Sequence, residues 1–252
     1  MKKLLCFTLA GAAVLVFICL LVPAQPGYRV EQVVIGILSG AAAARTALGF
    51  GRSDHLRRAW GLTAISGFVI GVSEILPLDQ MPASGIFLTF VVNVCGVVSM
   101  VHFARAFAVA GLDLPGTRAR NIALYVAIFV VAVLIVAVPM VDTLRRLAAG
   151  NMRVAMRLVS SAGDLATLTL IGPVLLTALA LRGGLLVWPW ALLVAANIGW
   201  LLFDASELLA AFGIREDSLL VWANLWQVLA CFLTIAAAEA QRRVSQGEAS
   251  PT

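Results

Sequence analysis

The chain has 252 residues, 62% of them hydrophobic and 12% charged, with a mean hydropathy of +1.00. That composition excludes an ordinary soluble domain and leaves little length for a catalytic or DNA-binding module outside a membrane. The net charge of +5 is read as membrane topology rather than nucleic-acid binding, because the basic residues gather in loops and do not interleave with exposed aromatics.

Lys2 and Lys3 precede the apolar run LLCFTLAGAAVLVFICLLV. VPA before Gln25 resembles a signal-peptide cleavage site, but the run is longer than a usual signal h-region, so it reads as a retained first helix. Later apolar stretches run from Val30 to Phe50, Ala59 to Leu76, Ser84 to Val109, Asn121 to Val141, Leu158 to Leu181, Leu185 to Leu209 and Leu219 to Ala238. About 20 such residues cross a bilayer. The expected fold is therefore an all-α integral membrane protein of about eight transmembrane helices. Residues 1–240 form one transmembrane domain and 241–252 a short cytoplasmic tail.

With a cytoplasmic N-terminus, the inside segments carry Lys2 and Lys3, then Arg52, Arg57 and Arg58, then Arg118 and Arg120, then Arg182, and finally Arg242 and Arg243. This meets the positive-inside rule at each inside loop and puts the C-terminus inside as well. The outside loops hold Asp79 and the pair Glu216 and Asp217. The exception is DTLRRLAAGNMRVAMR, Asp142 to Arg157, whose arginines fall outside; it is expected to be an interfacial amphipathic turn beside lipid headgroups, or a lid over an acidic mouth. The compartment implied is a bacterial inner membrane.

Cys6, Cys19, Cys95 and Cys231 lie in apolar segments without a CxxC pair, as buried small hydrophobes do. The two histidines, His55 and His102, do not make a haem or zinc set, and no metal or other cofactor is expected. His102 and Arg105, three residues apart, mark the inner interface. Gly183 and Gly184 form a tight turn, and Pro189 belongs in the first turn of the seventh helix.

An internal repeat accompanies the eight spans. Trp60 and Glu74 are 14 residues apart, as are Trp190 and Asp204, the two pairs being offset by 130; Glu31 corresponds to Asp164 at 133, and Asn93 to Asn224 at 131. Repeat one covers about 4–109 and repeat two about 121–238, in parallel orientation and face to face.

Polar residues inside spans are costly, so they face a partner, a cavity or the interface. Glu74, Asn93, Asp164, Asp204, Glu207, Asn224 and Gln227 all fall on the outer half of their helices, with Trp226 as a cavity wall. Asp204 with Glu207, and Asn224 with Gln227, share a helix face at a spacing of three. Together these eight residues are expected to line an acidic, hydrogen-bonding ligand site. Glu31 is assigned to interfacial solvation, and Asn197 to interhelical hydrogen bonding.

Two family resemblances fall on these residues. RRAWGLTAISGFVIGVSEIL, AGDLATL, LRGG, LLFDASELL and ANLWQVL resemble the multi-spanning membrane sensor region that precedes diguanylate cyclase or histidine kinase modules in bacteria, over about Val30 to Ala238. No output module accompanies them, so this resemblance implies a sensor working through a separate signalling or membrane partner. Phe203, Ser206, Glu207, Leu209 to Ala211 and Gln227, with Glu74 near the place of a first acid, are similar to the lysoplasmalogenase-like eight-helix membrane hydrolases. That resemblance implies Glu74 with Asp204 or Glu207 as catalytic acid and base, although Glu stands here for Asp at both matched positions and moves each carboxylate by one methylene. The leading expectation is a sensor or regulatory module that binds a small molecule or membrane lipid, with no nucleic-acid partner. The alternatives are a lipid ether hydrolase and a structural subunit of a membrane complex.

Overall fold

The computed structural model describes residues 2–21, 27–77, 81–110, 117–151, 154–180, 187–211 and 216–246. Asp79, Arg153, Arg182, Gly183 and Gly184, and the side chains of Lys2, Lys3, Cys19, Asp142, Asp164, Glu207, Glu216 and Asp217, lie outside the described residues. The described chain is entirely helical in its regular structure: α1 (Lys2–Leu21), α2 (Gly27–Leu48), α3 (His55–Ser73), α4 (Pro82–Val109), α5 (Arg118–Ala148), α6 (Ala155–Ala180), α7 (Val187–Ala211) and α8 (Glu216–Ser245). Among the described residues, three helices are long and apolar enough to cross a membrane, Pro82–Val109, Val187–Ser206 and Val221–Ser245. By length and composition the protein is membrane-associated.

Helix starts follow local chemistry. Asp54 caps α3, its carboxylate accepting from Leu56 N at 2.8 Å, and Thr117 caps α5 through Arg120 N at 3.3 Å. Pro82 opens α4, where a missing N–H costs nothing.

Two helices run past their expected ends. α5 continues beyond Val141 to Ala148 and α6 begins at Ala155, so most of the anticipated basic loop is helix. Arg145 and Arg146 sit in its last turn, where positive charge complements the helix dipole, and Thr143 is buried. The helix stops where Gly150 adopts φ +88°, with Gly150 N bonded to Leu147 O at 2.9 Å and Asn151 N to Arg146 O at 3.1 Å, a Schellman ending. α8 likewise runs past Ala238 to Ser245 because Glu239 pairs with Arg242 and Arg243 one turn on, each at 2.9 Å.

Six helices close a ring: α2 packs on α3, α3 on α4, α4 on α6, α6 on α7, α7 on α8, and α8 back on α2. α1 lies against α8 and α5 against α6, outside that ring. Both outer helices leave large apolar side chains exposed, among them Phe7 and Phe17 on α1 and Val126 and Leu134 on α5, the surface that lipid rather than water would cover.

One end of the ring is filled by a core to which all six ring helices contribute, including Ala43, Trp60, Phe103, Val174, Trp190 and Ala237. Phe103 stands edge-on to Trp60 at 5.2 Å and to Trp190 at 5.4 Å between ring centroids. The α2–α3 contact is made of glycines. A β-carbon on Gly36 would lie 2.8 Å from Gly71 N, and one on Gly67 would lie 2.6 Å from Gly40 N. Two small-xxx-small pairs, Gly36 with Gly40 and Gly67 with Gly71, therefore bring the two backbones together.

Candidate ligand-binding site

The end of the ring opposite the aromatic core carries the polar side chains. It is formed by the starts of α2, α6 and α8 and the end of α3, with Asp204 of α7 on the same side. Gln32 on α2 donates from Nε2 to Asn224 Oδ1 at 2.8 Å and to Gln227 Oε1 at 3.2 Å, both on α8. Gln227 in turn donates from Nε2 to Glu74 Oε1 at 2.9 Å. The result is one hydrogen-bonded chain through three helices, in which Gln32 donates both to Asn224 and, through Gln227, toward the Glu74 carboxylate. Gln32 and Gln227 are buried, while Glu74 and Asn224 are half-buried.

Glu74 is the C-cap of α3. A helix C-terminus presents negative partial charge, so a carboxylate there is stabilised by a donor or cation brought to it from elsewhere. Gln227 supplies one donor. Glu74 Oε2, the Gln32 carbonyl and the Asn224 amide nitrogen make no further hydrogen bond among the described residues. Two acceptors and an NH2 group are thus gathered at one buried-to-half-buried place, which suits a ligand bearing a hydroxyl or ammonium group.

Other anticipated residues fall beside this chain. Asp204 on α7 accepts from Ser160 of α6 at 3.1 Å. Asn93 on α4 donates to Thr89 O at 2.9 Å in its own helix, and its side-chain amide lies directly against Gly163 of α6, where a β-carbon would collide with it. Trp226 stacks on Trp222, the ring centroids 6.2 Å apart. Asn197 bonds back to Leu193 O at 2.8 Å within α7, and Ser206 likewise to Leu202 O. Asp164 and Glu207 lie outside the described residues.

The sequence reading overlooked Gln32, which links the three helices, and weighed its charged neighbour Glu31 instead. A signal was present. Gln32, Ser39 and Thr46 are spaced by seven and make one polar stripe along α2. All three are buried, and Thr46 reaches Ala238 O of α8 at 3.0 Å. The matching stripe on α8 runs Asn224, Gln227, Cys231, Thr234, Ala238 and Gln241, alternating steps of three and four.

No family model, curated protein or solved structure matches the chain. The two resemblances therefore rest on the sequence motifs alone.

Proposed function

We propose that the protein is a membrane-embedded sensor or regulatory module that binds a small molecule or lipid at the Asn224–Gln32–Gln227–Glu74 chain and acts through a separate protein partner. The observation that carries this reading is the chain itself, which ties α2, α3 and α8 together through amides and one carboxylate. A ligand that exchanges hydrogen bonds with it alters the contacts among three helices at once, which is what a sensor needs. A cleft between two four-helix repeats of an eight-span protein, in a bacterial inner membrane with both termini cytoplasmic, is the setting we propose for it.

The ring order supports the repeat. Asn224 meets Gln32 across α8 and α2, and Asn93 meets Gly163 across α4 and α6. Both asparagines and both of their partners are offset by 131 residues. The hydrolase reading needs Glu74 and Asp204 or Glu207 around one water. Glu74 accepts from Gln227 of α8 and Asp204 from Ser160 of α6.

The test is native mass spectrometry of the full chain in detergent, alone and with a lyso-ether lipid, for wild type and Glu74→Gln. An intact bound lipid whose affinity falls about tenfold in the variant supports a binding module, a charge-assisted hydrogen bond having been lost. Conversion to cleaved products by wild type alone replaces the sensor with the hydrolase.

A further inference from the structure

The opposite end of the ring holds a second polar cluster that does not depend on the ligand site proposed above. We infer that His55, Arg58, His102 and Arg105 form a binding site for a phosphate group, carried by an anionic lipid headgroup or by free phosphate.

Each helix contributes a histidine followed three residues later by an arginine: HLRR at 55–58 on α3 and HFAR at 102–105 on α4. That spacing puts each arginine one turn from its histidine on the same side of the helix. The packing of α3 on α4 brings the two histidines together, Nδ1 to Nδ1 at 3.0 Å, with ring centroids 5.3 Å apart. Arg58 and Arg105 both set positive charge beside His102. The nearby carboxylate of Asp54 is turned onto Leu56 N as the cap of α3, and Arg57 is committed to Phe50 O at 3.0 Å. The guanidinium groups of Arg58 and Arg105 are on exposed residues and make no hydrogen bond or ion pair among the described residues.

The histidine contact also fixes a donor. In a neutral pair, one ring gives its Nδ1–H to the other, and the accepting ring must then carry its own proton on Nε2. That Nε2–H faces away from the contact. With two unpaired guanidiniums beside it, each able to give parallel N–H bonds, the cluster offers the donor set that phosphate oxygens take. His102 and Arg105 lie within the last two turns of a helix long enough to span a membrane. A headgroup phosphate at the membrane surface is therefore the first source to test.

The chain has only two histidines, so 15N-histidine NMR of the full protein in neutral detergent reports on this pair alone. Dihexanoyl-phosphatidylglycerol, inorganic phosphate and dihexanoylglycerol, which has no phosphate, are titrated separately. We expect saturable movement of both histidine signals with a phosphate-bearing probe and none with dihexanoylglycerol. Tighter saturation by the lipid assigns the site to a headgroup, and equal or tighter saturation by inorganic phosphate assigns it to the free anion. Arg58→Gln with Arg105→Gln is expected to weaken binding about tenfold or more, whereas Arg118→Gln with Arg120→Gln, which removes the same charge elsewhere, leaves it unchanged. Absence of saturable movement with both phosphate probes overturns the site. So does equal movement with dihexanoylglycerol, or equal weakening by the two arginine pairs.

Discussion

Helix α2 meets its two ring neighbours in opposite ways. Against α3 it has almost no side chain between the backbones, Gly36 and Gly40 lying on Gly71 and Gly67. Against α8 it presents Gln32, Ser39 and Thr46, and two of these hydrogen-bond directly to that helix. Contact of the first kind is steric and has one solution, because the backbones have no room to move closer and lose dispersion contacts if they part. Contact of the second kind is made of bonds that a ligand can replace one for one. The comparison teaches that the α2–α3 contact is fixed by shape, whereas the α2–α8 contact is held by hydrogen bonds that can be exchanged.

The sharpest way to break the rigid side is Gly67→Val, whose β-carbon would meet Gly40 N at 2.6 Å and Gly40 Cα at 2.8 Å. We expect a loss of ~3 kcal/mol, at the upper end of over-packing effects, read by reversible unfolding in detergent. On the exchangeable side, Gln32→Leu keeps volume but strands the Asn224 and Gln227 acceptors, at a cost of about 1–2 kcal/mol in the same assay. Retained wild-type stability in this variant would show that the amide chain does not hold α2 to α8. A control lies on α3 itself: Gly61 has open space where a β-carbon would go, so Gly61→Ala should raise stability by about 0.5–1 kcal/mol through helix propensity. The smallest effect is expected for Thr46→Val, which removes a hydroxyl shared between Ala42 O of its own helix and Ala238 O of α8; interhelical bonds of this kind average roughly 0.6 kcal/mol.

Much of the helix layout was legible because an apolar run of membrane-spanning length has few other ways to fold. Six of the eight helix ends that close such runs fall near the expected residue. α5 and α8 do not, since hydropathy falls at the first charge while a helix continues for as long as its charges suit the dipole or pair along the turn, as Arg145 and Glu239 do. In the site, Glu74, Asn224 and Gln227 stood out as polar groups in apolar surroundings. Gln32 did not, because a charge beside it drew the argument and a neutral amide shows its importance only through the helix it faces. The four interface glycines carry no polarity and were passed over, although their spacing of four on both α2 and α3 is written in the sequence. The histidine pair required the register of α3 against α4, which separates its members by 47 residues.

The seam between α2 and α8 joins segments 192 residues apart in the chain. During synthesis at ~5–20 residues per second, α8 leaves the ribosome roughly 10–40 s after α2. For that interval Gln32 lacks the α8 partners that later accept its hydrogen bonds, and Thr46 has only Ala42 O of its own helix, in surroundings where an unmet polar group is expensive. Biogenesis therefore has a vulnerable period whose length is set by the order of the helices. Truncation before α8, or a stall in translation there, leaves an open ring with its polar stripe exposed, a natural substrate for membrane chaperones and quality-control proteases.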